Sequence, residues 1–164
     1  MQLTAIVHQD RVCIDESAES KTAALLKVSQ LLCQNQTDLD VQNIFDSFWR
    51  RDSLGSTSIG HGIIIPHIRS ASIQDTLACF LKLEHPIDFG AEDKQPIDLV
   101  FGLIAPEDNP EQHLEVLKHI AKLFNQPEAR QACRNANDSS ELYRALTNEA
   151  YGHVTPKPLE PVEA

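Results

Sequence analysis

Two long apolar runs in the middle of the chain, residues 77–83 and 97–105, constrain the fold more than any other feature. Turn-forming residues bound both runs: Pro86 follows the first, and Pro96 and Pro106 flank the second. A strand with one solvated face alternates apolar and polar residues, whereas a strand covered on both faces is apolar throughout. The runs therefore predict two central strands with other structure packed on each side.

The flanking regions have the 3.6-residue periodicity of helices. Residues 24–32 and 41–49 each place their apolar side chains on one face, with Ser17 and Ser20 as candidate N-caps of the first helix. A third helix is predicted from Pro110, capped by Asn109, to about residue 125, and shorter ones over 127–135 and 139–148. The expected apolar stripe of the third helix consists of Leu114, Leu117, Ile120, Ala121 and Phe124.

Further strands are predicted at 12–14, as an edge, and at 63–65, a β-branched run that Pro66 ends in a turn. Residues 55–62 are rich in Gly, Ser and Thr and are predicted to form a loop. The length of 164 residues suits one domain. The predicted fold class is α/β, a single domain with a central mixed β-sheet flanked by helices on both faces. The proline-rich segment 150–164 is predicted to be a disordered tail.

The charge balance, 14 Lys plus Arg against 24 Asp plus Glu, gives a formal net charge of -10. Binding to nucleic acid or to anionic lipid needs clustered positive charge, so neither partner is expected. The chain has no apolar run of about 20 residues and no signal-peptide pattern at its start, so we expect no membrane insertion and a cytoplasmic location. The four cysteines are far apart in the sequence and are interpreted as reduced packing residues.

His67 is the first candidate for chemistry. A neutral imidazole is nucleophilic near pH 7, and an N-phosphorylated imidazole is reactive enough to pass its phosphoryl group onward. His67 follows an apolar strand and a proline, which fixes the backbone and gives the ring a defined place at a sheet edge. The alternative is a turn histidine without a role.

His113 is the second candidate. At about 100° per residue it lies close to the centre of the apolar stripe of its helix, whereas His119 lies on the opposite side and is expected to face water. An inward imidazole at the positive end of a helix suits a group that donates to a phosphoryl oxygen. A core histidine with a purely structural role is the alternative.

The segment before His67 offers groups that suit phosphoryl oxygens. Ser56 and Thr57 carry hydroxyls within a glycine-flanked segment, and Arg51 and Arg69 carry guanidinium groups that pair with phosphate bidentately. Solvated surface arginines are the alternative for the last two. A nucleotide-binding P-loop is rejected, because His61 stands where that motif requires Lys.

A metal site formed by His61, His67 and His113 is a further alternative, although their spacing matches no metal motif. An imidazole nucleophile needs no metal for activation, so we expect no metal and no cofactor.

Two segments resemble the enzyme IIA domains of the bacterial phosphoenolpyruvate-dependent phosphotransferase system, in the fructose, mannitol and nitrogen-regulatory branch. They are residues 51–67 (RDSLGSTSIGHGIIIPH) and residues 95–106 (QPIDLVFGLIAP), the second running on to His113 and Leu114. The resemblance covers residues 1–149 and is strongest to the nitrogen-regulatory IIA proteins. Two departures from the family pattern are Ile68, where a small residue is usual, and His61, where the nitrogen-regulatory branch usually has Asn or another small residue.

The resemblance implies a phosphotransferase component that accepts a phosphoryl group on His67 from a histidine phosphocarrier protein. It implies that His113 assists and that Arg51, Ser56 and Thr57 bind the phosphoryl group. As a lone domain, the chain is expected to regulate target proteins, such as a potassium transporter or a sensor kinase, by its phosphorylation state. The alternatives are a sugar-specific IIA component that passes phosphate to a IIB partner, or a binding module that signals without phosphorylation.

Overall fold

The computed structural model describes residues 2–151, and these form one mixed sheet with helices on both faces. The strands are β1 (Val12–Asp15), β2 (Ser58–Gly60), β3 (Ile63–Ile64), β4 (His67–Ser70), β5 (Leu77–Ile87) and β6 (Ile97–Pro106). The helices are α1 (Lys21–Cys33), α2 (Val41–Ser53), α3 (Pro110–Phe124), α4 (Pro127–Asn135) and α5 (Ser139–Thr147). The predicted fold class is confirmed.

The centre of the sheet is the antiparallel pair β5 and β6, the two apolar runs of the sequence. Strand order is β1-β5-β6-β3-β2, with β4 also paired to β6. Nine of the ten residues of β6 are buried, as expected for a strand covered on both faces. The predicted edge strand is β1, which runs parallel to β5.

Strands β3 and β4 lie end to end along the same edge of β6, and both run parallel to it. Pro66 lies between them and has no N–H to donate, but its carbonyl accepts from the Leu103 amide at 2.9 Å. The chain therefore stays against β6 across the proline. The predicted turn after Pro66 and the predicted loop at 55–62 are both corrected, since His67–Ser70 and Ser58–Gly60 are strands.

The sheet separates two hydrophobic cores. Phe80, Phe101 and Phe124 pack together in the core covered by α3 and α5, with ring centroids 5.6 to 6.4 Å apart. The core on the other face contains Phe48 of α2 and the apolar side of α1. Each face of β6 thus contributes to a different core. Both layers of helices therefore pack against β6, the strand that also pairs with β4.

Helix α3 begins as predicted, with the Asn109 side chain accepting from the Gln112 amide at 3.1 Å and Pro110 in the first turn. The buried face of α3 differs from the predicted one. Val116, Ile120 and Phe124 form the buried ridge, whereas Leu114 is 51% exposed. Residues at i, i+4 and i+8 share a helix face, whereas Leu114 lies two residues before Val116 and projects away from it.

Two further predictions concern the chain ends and the cysteines. Of the segment predicted to be a disordered tail, residues 152–164 lie outside the described part of the chain, and residues 150 and 151 lie in a turn.

All four cysteines are free, and burial raises the pKa of the Cys79 and Cys133 thiols to about 12, as suits packing residues. No helix within residues 2–151 is long and apolar enough to cross a membrane.

Candidate active site

The His67 ring is oriented by the backbone of its own segment. It is the first residue of β4, and its Nδ1 lies 2.6 Å from the carbonyl oxygen of Ile65. A carbonyl oxygen only accepts hydrogen bonds, so Nδ1 carries the ring proton and Nε2 carries the lone pair. The hydrogen bond therefore fixes which nitrogen is the nucleophile.

His113 lies in the first turn of α3, beside His67. The two ring centroids are 5.3 Å apart and the ring planes are inclined by 50°. The prediction that His113 faces inward is confirmed, because its Nδ1 atom is buried. Within residues 2–151 this atom has no hydrogen-bond partner among the protein groups, which is unusual for a buried polar atom.

Both imidazoles are held in the neutral form. Burial lowers the pKa of His67 below 6.5, an effect that the Ile65 carbonyl opposes and that the positive charge of Arg51 reinforces. Burial likewise lowers the pKa of His113, and the positive charge of Arg69, together with that of His67 whenever the His67 ring is protonated, adds to the effect. Since neither ring is charged near neutral pH, the lone pair on Nε2 of His67 is available.

An open cleft of about 370 Å³ adjoins His67, between α3, the end of α2 and β2. Arg51 and Thr57, two of the predicted phosphoryl-binding residues, line this cleft together with His67. The guanidinium of Arg51 donates through Nη1 to the carbonyl of Gly55 at 3.1 Å, which ties the end of α2 to the loop before β2. Permanent positive charge thus lies at the rim of the cleft.

Ser56, the third predicted phosphoryl-binding residue, is not among the residues that line the cleft, although its neighbour Thr57 is. The Ser56 hydroxyl accepts from the amide of Ser58 at 3.1 Å, and Ser58 itself is in the lining. Ser58 and Lys118 were both missed by the sequence reasoning. Ser58 lies in the same hydroxyl-rich segment as Ser56, which is a weak signal, whereas Lys118 has no local signal because the rotation of α3 relative to the sheet decides its position.

Arg69 lies two residues after His67 on β4, so both side chains project from the same face of the strand. Its side chain is exposed, and its charge contributes to the lowered pKa of His113. A cation therefore stands near each imidazole, Arg51 near His67 and Arg69 near His113.

The residue after His67 lies on the other side of the sheet. Ile68 pairs in register with Ile104 and packs against the core formed with α1 and α2. Its bulk is therefore directed away from the cleft, beneath the helix that carries Arg51.

His61 forms the turn between β2 and β3 with Gly62, and both residues have positive φ, 59° and 76°. The His61 carbonyl accepts a hydrogen bond from Arg134 of α4. Within residues 2–151 no three His, Cys, Asp or Glu side chains are grouped closely enough to hold a metal ion, so the alternative of a three-histidine metal site finds no support there.

His119 departs from its prediction. It is half-buried rather than facing water, in a cavity of about 300 Å³ that Gln2, Leu3 and Thr4 help to line. Burial lowers its pKa as well. Helical phase alone did not reveal this, because the covering residues come from the other end of the chain.

Comparison with protein-family models matches residues 5–149 to the phosphoenolpyruvate-dependent sugar phosphotransferase system, EIIA 2. The chain belongs to this family. The recognition made from residues 51–67 and 95–106 is thereby confirmed. The EIIA 2 match includes strands β1 to β6 and helices α1 to α5.

Among curated EIIA relatives, the nitrogen regulatory protein of Pseudomonas aeruginosa is 34% identical over 152 residues, covering 93% of this chain and 99% of the relative. The Escherichia coli nitrogen regulatory protein is 35% identical, covering 90% of this chain and 91% of its own length. The crystal structure of nitrogen regulatory protein IIA-Ntr from Neisseria meningitidis has a TM-score of 0.81 and 29% identity, covering 88% of this chain and 99% of that one.

Proposed function

We propose that this EIIA family member accepts a phosphoryl group on Nε2 of His67 from a histidine phosphocarrier protein. Its phosphorylation state then decides which target proteins it binds. The observation that carries the proposal is the hydrogen bond from Nδ1 of His67 to the Ile65 carbonyl, in a ring that is neutral and lies beside His113. This arrangement leaves a single nitrogen of His67 free to react.

The transfer step is an in-line displacement at phosphorus. The lone pair of Nε2 forms the new N–P bond while the N–P bond of the donor phosphohistidine breaks, and the donor imidazole leaves with the electron pair of that bond. Such transfers need little covalent chemistry from the protein beyond the nucleophile, so positioning and charge balance supply most of the rate enhancement.

The surrounding side chains are proposed to bind the transferred phosphoryl group. Arg51 balances its charge and Thr57 donates from the lining of the cleft. Ser56 accepts from the Ser58 amide, which leaves its own hydroxyl proton free to donate. His113 assists as the second imidazole, donating to an equatorial oxygen as negative charge develops there.

The comparisons favour a regulatory output over sugar import. The relatives at 33–36% identity over about 150 residues are named nitrogen regulatory proteins, whereas the Escherichia coli 2-O-alpha-mannosyl-D-glycerate-specific EIIABC component is 26% identical. Targets such as a potassium transporter or a sensor kinase belong to the proposal, as does transfer to a IIB partner as the alternative.

A matched pair of substitutions tests the proposal. In His67→Asn the amide retains a donor near the Nδ1 position and loses Nε2, whereas His61→Asn makes the same change at the hairpin turn. With phosphoenolpyruvate, enzyme I and the phosphocarrier, wild type and His61→Asn should each gain the mass of one phosphoryl group, and His67→Asn should gain none. Full labelling of His67→Asn would refute the proposal.

A further inference from the structure

A groove extends from the cleft at His67 along α3 to the turn at His61. Two adjoining cavities of about 370 and 440 Å³ form it, and both include Ile59 of β2 and Ala121 of α3. We call it the β2–α3 groove. Only its near half contains His67, and its far half is lined by His61, Lys122, Phe124 and Asn125.

The charge of the β2–α3 groove is opposite to that of the chain as a whole. The chain has ten more acidic than basic residues, yet no Asp or Glu is present among the described residues that line the groove. Its permanent charges are all positive, from Arg51, Lys118 and Lys122. The two lysines are four residues apart, so they share one face of α3.

Three carboxylates flank the groove without lining it. Glu115 lies 3.9 Å from the Lys118 ammonium, and both side chains are largely exposed, so solvent screens this pair. Asp93 and Asp98 line a separate cavity on the other side of the His61 turn, where Asp98 is already paired with Arg134 at 2.8 Å. None of these three carboxylates is among the described residues that line the groove, whose own charged residues are all cations.

The groove also presents apolar surface and has a definite length. Ile59 is 38% exposed, and Leu117 and Ala121 line the α3 side. A helix rises about 12 Å between residues 117 and 125, which matches about four residues of an extended chain at about 3.3 Å each. Apolar surface beside the two lysines of α3 fits a short segment that carries both carboxylates and an aliphatic side chain.

We infer that the β2–α3 groove binds a short acidic segment of a partner protein and that a phosphoryl group on His67 displaces this segment. Carboxylates of the segment pair with Lys118 and Lys122, and its aliphatic side chain contacts Ile59. A phosphoryl group adds roughly two negative charges at one end of the same groove, which repels an acidic occupant. Only the displacement rests on the proposed function, whereas the binding is independent of it.

The test uses two five-residue peptides, acetyl-Glu-Leu-Asp-Leu-Glu-amide and its charge-reversed analogue acetyl-Lys-Leu-Lys-Leu-Lys-amide. Each is titrated into the ¹⁵N-labelled full chain while amide chemical shifts are recorded. The acidic peptide should shift the amides of 57–61 and 117–125, and the basic peptide should leave them unchanged. Lys122→Glu should weaken binding about fivefold, whereas Arg144→Glu, the same charge change on α5 outside the groove, should not.

The second arm repeats the titration with protein phosphorylated on His67. Affinity for the acidic peptide should fall at least about tenfold, and His67→Asn treated in the same way should retain the unphosphorylated affinity. The binding site is refuted if the acidic peptide shifts no groove amides or if both peptides shift them equally. It is also refuted if Lys122→Glu leaves the affinity for the acidic peptide unchanged. Unchanged affinity after complete phosphorylation overturns the displacement alone. Failure to phosphorylate, with Lys122-dependent binding intact, would count against the proposed function and leave the binding site standing.

Discussion

His61 and His67 stand on either side of the same five-residue segment, 62–66, but the structure holds them in different ways. His61 is held through its backbone, by a positive φ of 59° and by a carbonyl that accepts from Arg134. His67 is held through its ring, by the hydrogen bond from Nδ1 to the Ile65 carbonyl. His61 stabilises the turn through its main chain, whereas His67 presents its Nε2 atom to the cleft.

Of the two histidines, the one placed for chemistry is His67, because its side chain rather than its backbone is fixed. The two regions are also connected, because the turn at His61 begins β3, which leads directly to the Ile65 carbonyl. Substitutions in the two regions should therefore have separable effects, on transfer near His67 and on stability near His61.

The largest expected effect is a lower rate of phosphoryl transfer in the His113→Leu variant. We expect phosphoryl transfer to slow by about 10²-fold, as when one donor to a developing negative charge is lost. Stability should stay within about 1 kcal/mol of wild type, because the buried Nδ1 atom has no partner to lose. Single-turnover transfer kinetics and urea unfolding measure the two effects. Parallel loss of both would instead indicate a structural core histidine.

The next effect concerns the His61 turn, through Gly62→Ala. An added Cβ would lie 2.8 Å from the Arg134 guanidinium and 3.2 Å from the Pro96 carbonyl, at a φ of +76°. We expect a loss of about 2 kcal/mol in the free energy of unfolding. Gly90→Ala is the matched control, since Gly90 has a φ of +74° and open space around it. Equal losses in urea unfolding would show that the contacts around Gly62 are unimportant.

A smaller effect is expected in the pH dependence of stability. Because the folded-state pKa of His67 is lowered below 6.5, the unfolded chain binds more protons and folding is disfavoured as pH falls below about 6.5. Urea unfolding at about pH 7.5 and about pH 5.5 should show that wild type loses more stability on acidification than His67→Asn. A larger loss in His67→Asn would mean that burial does not keep the ring neutral.

The smallest effect is expected from His61→Asn. A two-residue hairpin turn with positive φ at both positions favours Asn followed by Gly, so this substitution should raise stability by about 0.5 kcal/mol. Thermal unfolding should show a slight increase in midpoint, with unchanged transfer kinetics. A clear loss of transfer would give the His61 ring a role that its backbone geometry does not suggest.

Periodicity and composition predicted most of the fold. The helices at Lys21–Cys33 and Pro127–Asn135 and the central strand Ile97–Pro106 carry strong local signals, which the structure confirms. Strands Ser58–Gly60 and His67–Ser70 were missed because three or four residues beside Gly or Pro show no measurable alternation. Their pairing depends on β6, whose position no local pattern reveals.

The candidate site was predictable in part. The orientation of His113 was correct although Leu114 was wrongly placed in the apolar stripe, because His113 lies near Val116 and Ile120 on the helix surface. The approach of His113 to His67, the hydrogen bond to Ile65 and the participation of Lys118 depend on how α3 docks on the sheet. Such contacts join residues far apart in sequence and leave no local pattern.

Nε2 of His67 is the atom on which the proposed phosphoryl transfer depends. The direct measurement is ³¹P and ¹⁵N NMR of histidine-labelled protein after phosphorylation by the phosphocarrier, which identifies the nitrogen that carries phosphorus. We expect one phosphoryl group, bonded to Nε2 of His67, with Nδ1 still protonated against the Ile65 carbonyl. A phosphoryl group on Nδ1 of His67, or on His61 or His113, would contradict this expectation.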